Sequence, residues 1–180
     1  VMKEQLFSCP AKSVMILGIA GGNGLEHIGE VDFEAVYGVD INRDYLAACA
    51  ERYQRLKSVF KPICADLTKE NPSLPHADLL IADLLVEYIG LTSFQQAVKQ
   101  VEPRLVSVVI QINTGEGFVS DSPYLHVFDR ISEVHHQMEE AALTAAMSEI
   151  GYAKKLIAEH ELPNGKKLVR LDFAEMQSLQ

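Results

Sequence analysis

The stretch that decides the fold runs from residue 14 to residue 24 and reads Val-Met-Ile-Leu-Gly-Ile-Ala-Gly-Gly-Asn-Gly. Its apolar start predicts a buried strand, and the glycines at positions 18, 21, 22 and 24 predict a tight turn from that strand into a helix. Because glycine has no Cβ, a ligand can lie close to the backbone N–H groups of such a turn. The stretch therefore indicates a cofactor-binding loop; a loop of ordinary turn glycines is the alternative.

Three later apolar runs each end on an aspartate. The runs are Ala35 to Val39, Phe60 to Ala65 and Ala77 to Ala82, followed by Asp40, Asp66 and Asp83. A helix is predicted over Arg43 to Leu56, capped by Asn42. Its core-facing residues are expected to be Leu46, Cys49, Ala50, Tyr53 and Leu56. Short apolar strands that alternate with helices are typical of βαβ units, so a mostly parallel sheet is expected.

Two more helices and a fifth strand follow. A helix over Thr92 to Val101, ended by Pro103, precedes a strand over Leu105 to Asn113 whose continuous apolar character predicts burial on both faces. The next helix is predicted from Asp129 to a C-cap at Gly151. The residues of that helix expected to face the core are Ile131, Val134, Met138, Ala141 and Ala145.

The C-terminal residues predict an antiparallel pair. Strand-like runs over Tyr152 to Leu162 and Lys166 to Phe173 flank Pro163-Asn164-Gly165, and Asn-Gly between two such runs is a strong hairpin signal. The predicted fold class is therefore α/β: a doubly wound, mostly parallel seven-stranded sheet with a C-terminal antiparallel β-hairpin and helices on both faces.

The glycine loop does not fit the dinucleotide fingerprint G-x-G-x-x-G. When the pattern is read from Gly18, Ala20 and Asn23 stand where it needs glycine. When it is read from Gly22, His27 stands where the third glycine belongs. It resembles instead the G-x-A-G-G-x-G form of motif I in class I S-adenosylmethionine-dependent methyltransferases. The three aspartates and the terminal hairpin extend this resemblance over nearly the whole chain. The loop positions implied to bind the cofactor are Gly18, Ala20, Gly21, Gly22 and Gly24.

The resemblance implies S-adenosyl-L-methionine as cofactor and a role for each strand-end acid. Asp40 lies 22 positions after Gly18 and would accept two hydrogen bonds from the ribose diol; a carboxylate that offsets a helix dipole is the alternative. Ile41 would lie under the adenine. Asp66 would accept from the adenine amino group and the Leu67 N–H would reach a ring nitrogen, although an aspartate can also open a turn for local reasons. Asp83 would contact the amino group of the methionine portion.

Catalytic residues are less marked. Glu87 and Tyr88 follow Asp83 and could act on the substrate, while Tyr88 could equally be a core aromatic. His135 could be a general base, since the preceding segment, Thr114 to Phe128, often lines the substrate pocket in the family. Because His135 and His136 diverge by about 100° on a helix, no metal site is predicted. Methyl transfer requires mainly alignment of nucleophile and methyl group, so the absence of a triad does not exclude catalysis.

Length and composition bound the remaining properties. With 180 residues, a single domain over 1–180 is expected, opened by a short helical segment over 1–12 that lacks some native sequence before Val1. The net charge of −9 argues against nucleic-acid partners, and no apolar run is long enough to span a membrane. Three cysteines without C-x-x-C spacing favour a reducing cytoplasm.

The predicted function is a methyltransferase that acts on a small molecule or a protein side chain. The Asn/Asp-Pro-Pro-Tyr motif of amino-methylating nucleic-acid enzymes is absent from residues 83 to 88. Two alternatives stay open: a methyltransferase-like module that binds the cofactor without catalysis, and a nicotinamide-dependent oxidoreductase, which shares the acid after the second strand. The sequence leaves the oligomeric state open.

Overall fold

The computed structural model describes residues 1–69, 72–113, 139–162 and 165–176. Its strands form one seven-stranded sheet in the order β3-β2-β1-β4-β5-β7-β6. The strands are β1 (Ser13–Leu17), β2 (Ala35–Asp40), β3 (Phe60–Cys64), β4 (Leu79–Asp83), β5 (Leu105–Asn113), β6 (Tyr152–Leu162) and β7 (Lys166–Glu175). The first five strands are parallel to one another, and the β5–β7 and β6–β7 pairs are antiparallel. The predicted fold class is confirmed.

Burial explains the position of each strand in the sheet. Strand β1 pairs with β2 on one side and β4 on the other, and its residues 14 to 17 are buried, as their uninterrupted apolar character predicts. The two edge strands are largely exposed: β3 contains Pro62, which an edge tolerates, and β6 contains two lysines and two glutamates. The predicted hairpin is confirmed by the Leu162↔Lys166 pairing, although Pro163 and Asn164 lie outside the described residues.

Helices cover both faces of the sheet. On one face α1 (Met2–Leu6) and α2 (Arg43–Arg52) contribute Leu6, Leu46 and Cys49 to a core with β1 and β4. On the other face lie α3 (Val86–Val101) and α4 (Glu140–Glu149). They bury Phe94, Val98, Leu143 and Met147 against the same sheet. The two cores hold β1 and β4 at the centre, so the ends of these strands are fixed in position.

One expectation about the loop is wrong: no α-helix follows it. Residues 25 to 27 form only a short 3₁₀ turn, Leu25–His27, and the chain then returns to β2 without a further helix. Two glycines in this segment oppose a helix. Gly24 adopts a left-handed φ of 88°, and Gly29 donates its N–H to the Asp32 carboxylate in a second turn. The glycine turn therefore has no helix dipole behind it.

The predicted helices differ from the observed ones in their ends and faces. Helix α2 is capped by Asn42 as predicted, but it ends at Arg52 and continues as a 3₁₀ turn, Gln54–Leu56, and Ala50 is exposed. Helix α3 begins at Val86 rather than Thr92, because a single turn precedes a break at Gly90, where φ is 77°.

Helix α4 presents a different face from the predicted one. Ala141 and Ala145 are exposed, while Leu143, Ala146 and Met147 are buried. The larger Leu and Met side chains bury more apolar surface than two alanines do, and they set the rotation of the helix. The predicted start of this helix, with Ile131, Val134 and Met138, lies outside the described residues. Gly151 follows the helix with a φ of 89°, as its predicted capping role requires.

Candidate functional site

A cavity of about 220 Å³ lies at the carboxyl ends of the parallel strands, where the strand order reverses between β1 and β4. This is the switch point at which open α/β sheets bind ligands. We call it the first cavity; it is lined by Gly18, Val39, Asp40, Ile41, Ala65, Asp66, Leu67, Thr68, Leu85, Tyr88 and Ile89. Five residues predicted to contact a cofactor therefore lie around one space: Gly18, Asp40, Ile41, Asp66 and Leu67.

The glycine loop owes its shape to packing as well as to open space. A Cβ on Gly22 would lie 2.4 Å from Tyr53 Cε2, and one on Gly24 would lie 2.9 Å from Met2 Cγ. A Cβ on Gly21 would meet nothing within 4 Å, and the φ of Gly21 is not positive, so its Cα faces open space. Ala20 has a φ of 47°, which strains a residue with a Cβ. Packing against Tyr53 and Met2 thus requires glycine at positions 22 and 24.

Asp40 ties the loop to the end of β2. Its Oδ2 accepts the Ala20 N–H at 2.9 Å and its Oδ1 accepts the Asn42 N–H at 2.8 Å. These two bonds fix the carboxylate and hold Ala20 in its strained conformation. A carboxylate has about four lone-pair sites, so each oxygen keeps the capacity to accept a further hydrogen bond, and Asp40 lines the first cavity. Beside it Ile41 is 65% exposed and forms an apolar ledge on the wall of this cavity.

Asp66 is held by its own turn. Its Oδ1 accepts from the Thr68 N–H at 3.0 Å and from the Thr68 Oγ1 at 2.6 Å, and Lys69 Nζ lies 3.5 Å from Oδ2. The hydrogen bonds from Thr68 lower the pKa of Asp66. The local turn expected as the alternative is therefore present, and the same carboxylate lines the first cavity beside the buried Leu67.

Asp83 has a different environment at the end of β4. It lines a second pocket of about 320 Å³, which we call the Asp83 pocket. The pocket is lined by Val1, Met2, Asn23, Gly24, Glu26, Asp83, Leu84, Val109 and Leu168. Burial raises the pKa of Asp83 to about 6, and this effect outweighs the lowering by the Gln5 hydrogen bond, by the charge of Arg170 and by the N-terminal ammonium of Val1.

Gln5 of α1 is the partner of Asp83. Its Nε2 donates to Asp83 Oδ1 at 2.7 Å across 78 positions of sequence, and the Gln5 side chain is fully buried. Leu6 beside it is also fully buried, so α1 is packed into the fold. Sequence reasoning missed Gln5, because a lone glutamine on a short N-terminal helix carries no signal of a distant partner.

The three weak catalytic candidates have different positions. Glu87 is 1% exposed and its Oε1 accepts the Gln111 N–H of β5 at 2.9 Å; it lines neither cavity. Tyr88 is 39% exposed and lines the first cavity, so it is not a core aromatic. His135 lies outside the described residues, and its role as a base stays a prediction. Sequence reasoning also missed Leu85 and Ile89, two apolar residues that line the first cavity.

The described part of the chain contains neither a metal cluster nor a membrane-spanning helix. Among its residues no group of three or more His, Cys, Asp or Glu side chains could hold a metal ion. No helix within the described ranges is long and apolar enough to cross a membrane.

Comparison with solved structures places this geometry among known folds. The cyclopropane synthase MmaA2 from Mycobacterium tuberculosis superimposes with a TM-score of 0.74 at 8% identity, over 97% of this chain and 82% of that one. The methyltransferase domain of bacterial CtHen1-C gives 0.71 at 17% identity, over 98% and 100%. A geranyl diphosphate C-methyltransferase from Streptomyces coelicolor A3(2), crystallised with Mg²⁺, geranyl diphosphate and S-adenosyl-L-homocysteine, gives 0.71 at 11% identity, over 97% and 79%.

Comparison by sequence gives no such match. No known protein family matches the chain by sequence, and no curated protein does so either. At these identities the structural likeness establishes the fold. The chain has the Rossmann-like fold of class I S-adenosylmethionine-dependent methyltransferases, as its motif I resemblance predicted.

Proposed function

We propose that this chain is an S-adenosylmethionine-dependent methyltransferase. The observation that carries the proposal is the first cavity, in which Gly18 after β1, Asp40 at the end of β2 and Asp66 after β3 line one apolar space at the switch point of the sheet. Solved structures of the same fold include a magnesium protoporphyrin IX methyltransferase with bound S-adenosylmethionine. That protein shares 11% of its residues with this chain.

The residues around the first cavity fit an adenosyl group. Asp40 has acceptor sites for the hydroxyl groups of a ribose, and Ile41 and Leu85 are apolar surfaces for a flat ring. Gly18 lets Leu85 pack close to the loop, since its φ is 67° and a Cβ there would lie 3.0 Å from Leu85 Cδ1. We assign Gly18, Ala20, Gly21, Gly22, Gly24, Asp40, Ile41, Asp66, Leu67 and Asp83 to cofactor binding.

The cofactor, when bound, supplies a methyl group already activated by a sulfonium charge. The chain's own residues have then to align the acceptor and exclude water. Tyr88 lines the first cavity and is exposed enough to contact an acceptor.

The proposed acceptor is a small molecule or a protein side chain. The net charge of −9 repels phosphate backbones, so we do not propose nucleic acid as a partner. Among solved structures of this fold, one is a geranyl diphosphate C-methyltransferase and another is the N-methyltransferase NodS. A reducing compartment such as the cytoplasm fits the three free cysteines, Cys9, Cys49 and Cys64.

Calorimetric titration with S-adenosylhomocysteine tests the cofactor site. We expect wild type to bind and Asp40→Ala to bind about 100-fold more weakly, since the variant loses two charge-assisted hydrogen bonds to a ligand diol and two bonds that shape the loop. Thermal unfolding of both proteins is the control for folding.

NADH in the same titration separates the oxidoreductase alternative. Binding of NADH without S-adenosylhomocysteine would support an oxidoreductase and contradict the proposal. The non-catalytic alternative is separated by incubation with labelled S-adenosylmethionine and a panel of amines, hydroxy acids and proteins. Binding without transfer to any acceptor would favour a module that holds the cofactor and does not use it.

A further inference from the structure

The turn that follows the glycine loop is held by a side chain from a distant part of the sequence. Arg55 Nη2 donates to the Leu25 carbonyl at 2.7 Å, and Arg55 Nη1 donates to the Ile28 carbonyl. The last carbonyls of a helical turn have few N–H donors of their own, and a cationic side chain can supply them. The guanidinium of Arg55 therefore takes the place of the helix that does not follow the turn Leu25–His27.

Two more side chains from the same stretch of sequence contact the glycine loop. Cys49 Sγ donates to the Ala20 carbonyl at 3.1 Å. The Tyr53 ring occupies the space that a Cβ on Gly22 would need. Residues 49 to 55 thus contact the loop and its turn across 27 to 30 positions of sequence. The shape of the loop depends on this stretch.

The turn held by Arg55 forms one wall of the Asp83 pocket. Asn23, Gly24 and Glu26 line this pocket, and the Leu25 carbonyl lies between the last two of them in the chain. In contrast, Gly18 is the one residue of the loop 18–24 that lines the first cavity. A shift of the turn is therefore expected to alter the Asp83 pocket and to leave the first cavity as it is.

We propose that Arg55 is a positioning residue for the part of the cofactor site that lies in the Asp83 pocket. Within the described ranges no carboxylate forms an ion pair with Arg55, so no acid competes with the two carbonyls for its guanidinium. Leu25 and Ile28 bury their side chains in the core, so the turn stays attached to the fold when its carbonyls lose their donor. The inference rests on the function proposed above, because it requires the amino-acid portion of the cofactor to enter this pocket.

Calorimetry with two adenosyl ligands tests this role. S-adenosylhomocysteine has the amino-acid portion, and 5′-deoxy-5′-methylthioadenosine lacks it but keeps the adenosyl group and the sulfur. Arg55→Met keeps the apolar stem and removes both hydrogen bonds. We expect this variant to bind S-adenosylhomocysteine about tenfold more weakly and methylthioadenosine as wild type does. Arg55→Lys keeps the charge without the planar fork, so it should restore binding in part.

Lys57→Met is the matched control for charge. Lys57 is exposed, lies two positions after Arg55 and donates to neither carbonyl of the turn. We expect this variant to bind both ligands as wild type does. Thermal unfolding checks that each variant is folded, and Arg55→Lys replaces Arg55→Met in the comparison if the latter does not fold.

Hydrogen exchange without any ligand reads the turn directly. The His27 N–H donates to the Gly24 carbonyl at 3.0 Å, and the Ile28 N–H donates to the Leu25 carbonyl at 3.3 Å. Both protons are expected to exchange faster in Arg55→Met, while those of β1 exchange as in wild type.

The outcomes separate this inference from the proposed function. Equal weakening of both ligands in Arg55→Met, or unchanged binding of S-adenosylhomocysteine, would overturn the positioning role. Failure of wild type to bind either ligand would contradict the proposed function instead. In that case hydrogen exchange decides whether Arg55 orders the pocket wall: faster exchange confined to the turn supports it, and unchanged exchange overturns it.

Discussion

The two ends of the candidate site are built in different ways. At the first cavity, Asp40 and Asp66 accept mainly backbone N–H groups from residues 2 or 20 positions away in sequence. At the Asp83 pocket, the carboxylate depends on one side chain that is 78 positions away. The hydrogen bonds from Thr68 stabilise the ionised carboxylate of Asp66, whereas partial burial raises the pKa of Asp83.

This difference indicates at which end of the candidate site a functional carboxylate lowers the stability of the fold. Acids with local backbone partners stabilise the turns in which they lie, so they contribute to the fold even without a ligand. A buried acid with a raised pKa destabilises the folded state when it ionises, and such groups concentrate at functional sites. The Asp83 pocket is therefore the end at which stability and binding are expected to conflict.

The largest effect is expected in the glycine loop, on the side of the first cavity. Gly22→Ala places a Cβ 2.4 Å from Tyr53 at a φ of 99°, so strain and overpacking should lower the free energy of unfolding by about 4 kcal/mol. Chemical denaturation measures this loss. Gly21→Ala is the matched control, since its Cβ meets nothing within 4 Å.

The control variant carries information of its own. Gly21→Ala should fold with wild-type stability, because its methyl group enters open space. It should bind S-adenosylhomocysteine more weakly, because the motif I resemblance assigns Gly21 to cofactor binding. Equal losses of stability in the two variants would show that the loop is uniformly strained, and would remove the distinction between packing and binding glycines.

The next effect concerns the pH dependence of stability at Asp83. Its pKa in the folded state is about 6, above the ordinary value of 3.8. Its contribution to stability is therefore complete below about pH 4 and is lost as pH rises through 6, by about 3 kcal/mol. Asp83→Asn should be more stable than wild type at pH 8 by about this amount, with little difference at pH 4. Urea denaturation of both proteins across this range is the measurement, and a constant difference would contradict the assignment.

Asp66 should show the opposite and smaller dependence. Hydrogen bonds from Thr68 lower its pKa, so its contribution is present above the ordinary value and is lost as pH falls through the folded-state pKa. Urea denaturation should therefore find Asp66→Asn slightly less stable than wild type at neutral pH, and the difference should vanish in acid. Thr68→Val serves as a second probe, since it removes the hydroxyl donor and should reproduce part of the effect. A gain in stability at neutral pH would reverse the contrast with Asp83.

Most of the fold could be predicted because its signals are local. Apolar runs ending on glycine or aspartate marked the first four parallel strands, and Asn-Gly marked the hairpin. The errors have local causes too. Gly90 hid the first turn of α3, because a glycine with positive φ interrupts the helical pattern. The face of α4 was misassigned because alanine carries little information about burial.

The first cavity was largely predictable from the sequence, and the Asp83 pocket was not. Residues 18, 40, 41, 66 and 67 follow closely after strands, so the parallel sheet brings them together once strand order is known. The apolar wall of Leu85 and Ile89 depends on how α3 begins. Gln5 reaches Asp83 only because α1 packs its Leu6 into the core beside β4.

The sequence by itself determined the class of fold, the glycine turn and the placement of three acids at strand ends, because these depend on backbone preferences and on the alternation of apolar runs over a few neighbouring residues. Only the tertiary structure decided that Gly22 and Gly24 make room for Tyr53 and Met2, and that the Asp83 carboxylate pairs with the buried Gln5. Contacts of this kind join residues that are distant along the chain. They arise when the sheet and its helices close around a common core, which no local pattern encodes.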